Sequence, residues 1–374
     1  MSTAATGPLA GLRVADFSRV LAGPYATMML GDLGAEVIKV ERPPHGDDTR
    51  SWGPPHATDG TATYFQSVNR NKTSVWLDLD DPADHAQALE LATSADVLVE
   101  NLAPGSMARF GLGYDDVAAT NPGVVYASIS GFGDGTGAAM PGYDLLVQAM
   151  GGLMSITGPS PDQPTKVGVA LVDVLTGLHA TVGILGALHE RSLSGRGQHV
   201  SVNLLSSTLS ALVNQAQAVV GAGTVPRAMG NAHASIAPYE TLPTADGVLA
   251  LAVGNDRQFR SLCEVLGLDL AVDPDYASNP ARVAHRETLA ALLGVVLTTR
   301  PTAAWVSALT AAGVPAGPVN DIPAALELAT RLGLAPVVMA AGVPTVASPI
   351  TLSRTPVDYR SAPPRHHHPG PDHG

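Results

Sequence analysis

The stretch LRVADFSRVLAGPYATMMLGDLGAEVIKVE (12–41) decides the fold, because it sets a β-rich run, LRVADF (12–17), ahead of a helix-length segment and a second β-rich run, AEVIKVE (35–41). Pro24 falls where a first helical turn tolerates a missing N–H, and Gly34 falls where a helix from about Gly23 to Asp32 stops. The pattern is a βαβ unit. TSVWLDL (73–79), a helical period over roughly 82–93, ADVLVEN (95–101) and GVVYASIS (123–130) continue the alternation. Together they predict an α/β fold with a mostly parallel sheet and helices on both faces.

Beyond that core, Tyr143–Gly151 is helix-like and a Gly/Pro-rich loop (158–164) leads into VGVALVDVLTGLHATVGILGALHER (167–191). Leu175, Leu178, Val182, Leu185 and Leu188 recur there at helical spacing, while Gly177, Ala180, Gly183, Gly186 and Ala187 make small patches that admit another backbone. A buried or interface helix is expected. GRGQHVSVNLLSSTLSAL (195–212) reads as a strand into a helix, and VGAGTVPRAMGNAHA (220–234) as a linker. YETLPTADGVLALAVG (239–254) carries a hairpin signal at Asp246–Gly247, and helical patterns near 256–267, 281–298 and 302–312 fill a smaller α+β domain broken by GVPAGPVN (313–320). VASPITLSRTP (346–356) reads as a strand returning to the first domain, and SAPPRHHHPGPDHG (361–374) as a disordered tail. The expected domains are 1–220, 221–335 and the return segment with its tail, 336–374.

The composition narrows the function. A chain of 374 residues suits two domains. Its charge of −12 argues against nucleic acid as a partner, where a basic surface supplies most of the affinity. Apolar residues make up 45% and charged residues 14%, yet no run of about 18 uninterrupted apolar residues occurs, so no membrane span is expected. Cys263 is the single cysteine, which leaves neither an internal disulfide nor a cysteine zinc cluster. The N-terminal MSTAATGPLAGLRV has no basic segment before an apolar core, so a cytoplasmic location is expected. Only Lys39, Lys72 and Lys166 are lysines, and the excess of Ala, Gly, Pro and Arg has the bias of a GC-rich bacterial coding sequence.

Common cofactor motifs are missing: there is no G-x-x-x-x-G-K-[ST] loop, no H-E-x-x-H and no G-x-S-x-G elbow. GFGDGTG (131–137) lacks the G-x-G-x-x-G order and reads as a loop, and His366–His368 sit in the tail, so no metal is expected. Three polar sets lie at predicted strand ends: Val37–Arg42, Asn69–Lys72, and Val99–Asn101 with Arg109. Carboxyl ends of strands are where open α/β sheets bind ligands, which would bring Arg42, Asn101 and Arg109 to one anion; ordinary surface charge is the alternative. Asp173 interrupts an apolar run. It is either the N-cap of a helix starting near Val174 or a nucleophile at a helix N-terminus, and periodicity leaves both open.

Seven stretches in order resemble the class III CoA-transferase family, which includes formyl-CoA transferase, carnitine CoA-transferase and the divergent α-methylacyl-CoA racemase. They are LAGPYATMMLGDLGAEVIKVERP, NRNKTSVWLDL, VENLAPGSMARFGLGYDD, PGYDLLVQAMGGLMSITG, VALVDVLTGLHATVGILGALHER with GRGQHV, GNAHASIAPYETLPTADG, and GVPAGPVN. The resemblance implies a Rossmann-like large domain that binds coenzyme A as acyl-CoA co-substrate, a smaller second domain, and a homodimer of two interlocked ring-shaped chains. It places Asp173 on the catalytic aspartate, and Leu21, Ala22, Arg42, Val68, Asn69, Arg70, Asn71, Asn101, Leu102, Ala103 and Arg109 on CoA-contacting positions, with Lys72 adjoining and Tyr143 at the racemase base position. The implied reaction moves CoA from an acyl-CoA to a carboxylic acid through an aspartyl anhydride and an aspartyl-CoA thioester, without metal.

Several positions depart from the family pattern. Leu21 stands where formyl-CoA transferases carry glutamine, which points away from oxalate or formate and toward a bulkier or less polar acyl group. Ala103 replaces the arginine of E-N-F-R-P-G and removes a phosphate contact. Met229–Ile236 stands in for the glycine loop that shields the intermediate, and His366–Gly374 replaces the terminal L-G-E-H-T. An α-methylacyl-CoA epimerase is the alternative enzyme, but Tyr143, a phenol of unperturbed pKa about 10, is a poor base at neutral pH. A CoA-binding protein without turnover is the third reading, against which Asp173 counts.

Overall fold

The computed structural model describes residues 6–365, so the tail histidines lie outside the described residues. The chain forms two compact units, the first from residues 6–153, 166–224 and 334–365, the second from 154–165 and 225–333.

The first unit runs β1 (Arg13–Asp16), α1 (Ala22–Asp32), β2 (Glu36–Glu41), α2 (Thr63–Val68), β3 (Lys72–Trp76), α3 (Pro82–Ser94), β4 (Val97–Glu100), α4 (Ser106–Arg109), α5 (Tyr114–Thr120), β5 (Val125–Ser130), α6 (Asp144–Met150), α7 (Leu171–Ser194), β6 (His199–Asn203), α8 (Leu204–Ala211) and α9 (Val213–Ala222). All six strands are parallel, in the order β3-β2-β1-β4-β5-β6. Strands of such a sheet are covered on both faces, which is why they read as near-continuous apolar runs. On one face Val14, Val37, Val97, Val99 and Val125 pack under Leu30 of α1 and Ile184 of α7; on the other Ala15, Leu98 and Tyr126 pack under Ala88 and Ala92 of α3 and Val117 of α5. Each fully buried Val, Leu or Ile contributes about 1.5–3 kcal/mol.

Helix ends follow local chemistry. Asp81 caps α3 by accepting the N–H groups of Ala83 and Asp84, with Pro82 leading the first turn. α7 starts at Leu171, three residues earlier than its periodicity suggests, and ends at Gly195 in the left-handed conformation. Gly177 serves its own chain: a Cβ there would lie 2.6 Å from the Ala22 carbonyl oxygen, so glycine lets α1 and α7 touch. Gly186 faces open space. By length and composition α7 is long and apolar enough to cross a membrane. Here Val172, Thr176, Gly177, Ala180, Thr181, Ile184 and Ala187 form its buried face.

The second unit contains β7 (Tyr239–Pro243), β8 (Val248–Ala252), α10 (Asp256–Leu266), α11 (Asn279–Ala284), α12 (Arg286–Leu297), α13 (Thr302–Ala311), β9 (Ala316–Pro318) and α14 (Ile322–Arg331). Its antiparallel sheet has the order β7-β8-β9, so the segment read as a breaker, GVPAGPVN, supplies a strand. Leu249, Leu251, Phe259, Leu293, Trp305 and Leu309 form its core.

The return to the first unit differs from expectation. A two-stranded ribbon, β10 (Val337–Ala340) and β11 (Val343–Val346), turns at Ala341 and Gly342, both at positive φ. Past Val346 no strand forms through 356, because Pro349 and Pro356 carry no N–H for a ladder and the Ser348 N–H is used by the Tyr359 hydroxyl. The start of the expected disordered tail is packed instead. The Asn71 N–H donates to the Ser361 carbonyl at 3.0 Å, and the Arg50 guanidinium donates to the Pro364 carbonyl at 3.1 Å.

Candidate active site

A cavity of about 1160 Å³ opens in the first unit at the carboxyl ends of its central strands. Arg19–Ala22 follow β1, Asn101–Pro104 follow β4, and Ile129–Gly133 end and follow β5; all line it. The strand order reverses between β1 and β4, and a crevice forms where the flanking connections diverge. Asn101 joins two of these loops: its Oδ1 accepts the Arg19 N–H at 2.8 Å and its Nδ2 donates to the Arg19 carbonyl at 2.7 Å. The next residue, Val20, sits at φ 69°, a region that costs a β-branched residue about 1–3 kcal/mol. Its N–H donates to the Asp47 carboxylate at 3.2 Å, which holds it there.

Beneath this loop lies a buried ionic cluster. Lys72 bonds Asp16 at 3.0 Å and Asn69 Oδ1 at 3.0 Å, while Lys39 bonds Asp47 at 2.8 Å and the Ser18 carbonyl at 2.8 Å. Burial works against the Asp16 charge, but Lys72, Lys39 and the hydroxyls of Ser18 and Thr27 outweigh it and hold its pKa down at about 2. Burial brings Lys72 down to about 8, so the pair remains ionic at neutral pH.

Tyr143–Leu145 and Ala170, Asp173 and Val174 also line the cavity. Ala170 is the N-cap of α7 and offers no side-chain bond. Instead Asp144 Oδ1 accepts the N–H of Val172 at 2.9 Å and of Asp173 at 3.3 Å. Asp173 is therefore not the cap; it sits inside the first turn. Among the described residues no donor bonds its carboxylate, and burial together with the Asp144 charge pushes its pKa up to about 7. A carboxylate with lost solvent and no cation beside it is a stronger nucleophile than one in an ion pair.

A family model described as CoA-transferase family III matches residues 9–369. The chain belongs to that family. Succinate–glutarate CoA-transferase of Agrobacterium fabrum is 42% identical over 96% of this chain and 92% of its own. Acetyl-CoA:oxalate CoA-transferase of Acetobacter aceti is 40% identical over 93% and 90%. Among solved structures, a CAIB/BAIF family protein from Brucella suis superposes with a TM-score of 0.88 at 40% identity, covering 97% of this chain and 98% of that one.

In this family III chain the structure gathers some of the residues singled out from sequence and separates others. Leu21, Ala22, Asn101, Leu102, Ala103, Tyr143 and Asp173 all line the cavity. Tyr143 precedes the first turn of α6 without a side-chain capping bond and is 64% exposed. Arg42 and Arg109 do not line it: Arg42 is exposed and pairs with Asp80 at 3.3 Å, and Arg109 lies over the Phe110 ring. The expected convergence of Arg42, Asn101 and Arg109 on one anion is thus not seen in the lining. Val68, Asn69, Arg70, Asn71 and Lys72 are buried outside it, and their polar groups have internal uses. Arg70 grips Asp32 at 2.6 and 2.9 Å, and Asn71 Nδ2 donates to Asp32 at 2.8 Å and to the Asp358 carbonyl at 2.7 Å.

Other cavity residues escaped the sequence reading. Gly131, Gly133 and Gly137 of the segment read only as a loop form part of the wall, and Gly131 stands so close to Gly142 that a Cβ would lie 2.4 Å from its Cα. Tyr64 and Trp52 meet edge to face at 5.2 Å, and burial with the Asp173 and Asp144 charges pushes the Tyr64 phenol up to about 12. Lys166 contributes the cation next to α7, its Nζ donating to the Val167 carbonyl at 3.1 Å.

Proposed function

We propose that the chain transfers CoA from a dicarboxylic acyl-CoA to a dicarboxylic acid, with Asp173 as the nucleophile. The observation that carries this is the unpaired Asp173 carboxylate in the cavity wall at the switch point of the sheet. Two relatives are named for succinate and glutarate and a third for acetyl-CoA and oxalate, so the free acid in each name is a dicarboxylate and two of the three donors are dicarboxylic. Lys166 suits the far carboxylate of such an acid, since among the described residues no carboxylate pairs with it.

The Asp173 oxygen attacks the donor thioester carbonyl and expels CoA thiolate, leaving an aspartyl–acyl anhydride. The thiolate attacks the aspartyl carbonyl and releases the donor acid, which gives an aspartyl-CoA thioester. An acceptor carboxylate attacks that thioester, and the freed thiolate then takes the acceptor acyl group, restoring Asp173. Ala22 opens α1 without a side-chain cap and lines the cavity, so its N–H is available to a developing oxyanion. The carbon skeletons stay intact and one thioester replaces another, so the protein supplies position and excludes water.

The native state in this reading is a homodimer. Val182, Leu193, Leu209, Val213 and Val220 on α7, α8 and α9 are about half exposed or more in the single chain, a face that a second copy would cover. Sedimentation at nanomolar concentration should show dimer; a folded monomer speaks against it.

The function is tested by mixing acyl-CoA donors with mono- and dicarboxylic acids and detecting new thioesters. Wild type should give product from at least one dicarboxylic pair, and Asp173→Ala should lose at least roughly 10³-fold in turnover, the scale of removing a nucleophile, while still binding CoA in calorimetry. Wild-type turnover in that variant removes the assignment.

A further inference from the structure

Two polar side chains of α6, Asp144 and Gln148, tie it to the start of α7. Gln148 on α6 is fully buried; its Oε1 accepts the Val167 N–H at 2.9 Å, and its Nε2 donates to Asp144 Oδ2 at 2.6 Å. The other oxygen of Asp144 takes the Val172 and Asp173 N–H groups. One brace therefore fixes both ends of the stretch from Val167 to Asp173, whose backbone would otherwise begin a helix with no side-chain cap. A carboxylate suits a helix N-terminus, where the aligned peptide dipoles favour negative charge. The same charge stands beside the Asp173 carboxylate and disfavours its ionisation.

We propose that Asp144 is a positioning residue for the chemistry of Asp173, and that Gln148 is the brace that holds it. The inference rests on the reading of Asp173 as nucleophile. Asp144 touches no reacting atom; it orients the turn that presents the nucleophile and, after burial, adds to the rise in the pH at which that nucleophile is charged. The other titratable groups around this turn are Tyr143 at the cap of α6, Tyr64 on α2, Tyr25 on α1, Lys166 ahead of α7, and the exposed Arg19–Asp48 pair. None of them bonds the Val172 or Asp173 N–H groups, so substitution of Asp144 isolates the brace.

The experiment compares Asp144→Ala, Asp144→Asn and Asp173→Ala with wild type, following kcat and KM for the acyl-CoA between about pH 5 and 9. Asp144→Ala should lower kcat by roughly 10²-fold, the cost of a misplaced reacting group, with KM changed less than about threefold. Asp144→Asn keeps an oxygen for the two N–H groups but loses the charge and the acceptor of the Gln148 Nε2 bond. It should recover about tenfold of that kcat and shift the acid limb of the profile down by about one pH unit. Should Asp144→Ala fail to fold, the Asn variant still decides through its limb. Wild-type kcat in Asp144→Ala, or an Asn acid limb that stays with wild type, overturns the inference while a dead Asp173→Ala leaves the nucleophile standing. Full turnover in Asp173→Ala overturns the nucleophile reading itself.

Discussion

Two groups of carboxylates in the first unit are built in opposite ways. Under the β1 loop Asp16 and Asp47 each meet a buried lysine, and the hydroxyls of Ser18, Thr27 and Thr49 complete their shells. At the start of α7, Asp144 and Asp173 stand together with backbone N–H groups for one and no donor for the other. Matched charges hold the Ser18–Leu21 loop in the conformation the cavity needs. Among the described residues no cation stands against the unmatched one, and burial with the Asp144 charge pushes its pKa up to about 7.

The contrast breaks most visibly at the matched group. Asp16→Asn or Lys72→Met leaves an uncompensated buried charge and should cost about 3–5 kcal/mol in urea unfolding, whereas a loss below about 1 kcal/mol would mean the cluster is solvated. Next comes pH. A carboxyl raised to about 7 is protonated below that value, so kcat/KM for the acyl-CoA should fall about tenfold per pH unit on the acid side. The smallest effect has the opposite sign in stability. Because the folded pKa of Asp173 lies above its unfolded value, ionising it costs stability that is lost as pH rises from about 4 toward 7. Asp173→Asn should therefore raise Tm at pH 8 relative to wild type, by about 2–4 °C for each kcal/mol relieved, and leave Tm unchanged near pH 4.

The reading from sequence succeeds and fails along the same line. The β1–α1–β2 unit is legible because its signals are local: alternating apolar runs, Pro24 in a first turn, Gly34 after a last one. Asp173 is legible as a carboxylate that apolar periodicity does not explain. Asp144 is not, since its partners lie 28 and 29 residues away and no local pattern announces a cap delivered from another helix. The internal partners of Asn69–Lys72 are hidden for the same reason: only the fold reveals that Lys72 bonds Asp16, 56 residues away, and that Arg70 bonds Asp32, 38 residues away. The β10–β11 ribbon is hidden because it turns on Ala341–Gly342, without the Asn-Gly or Asp-Gly that marks a hairpin.

In the proposed reaction Asp173 bonds covalently to substrate, and trapping that adduct tests it. Wild-type protein is incubated with a productive acyl-CoA, quenched in acid, digested and weighed by mass spectrometry. The account predicts a CoA thioester on the peptide containing Asp173, removable by hydroxylamine and missing from Asp173→Ala. A transferase that turns over with no adduct on that peptide, or with the adduct on another carboxylate, would contradict it.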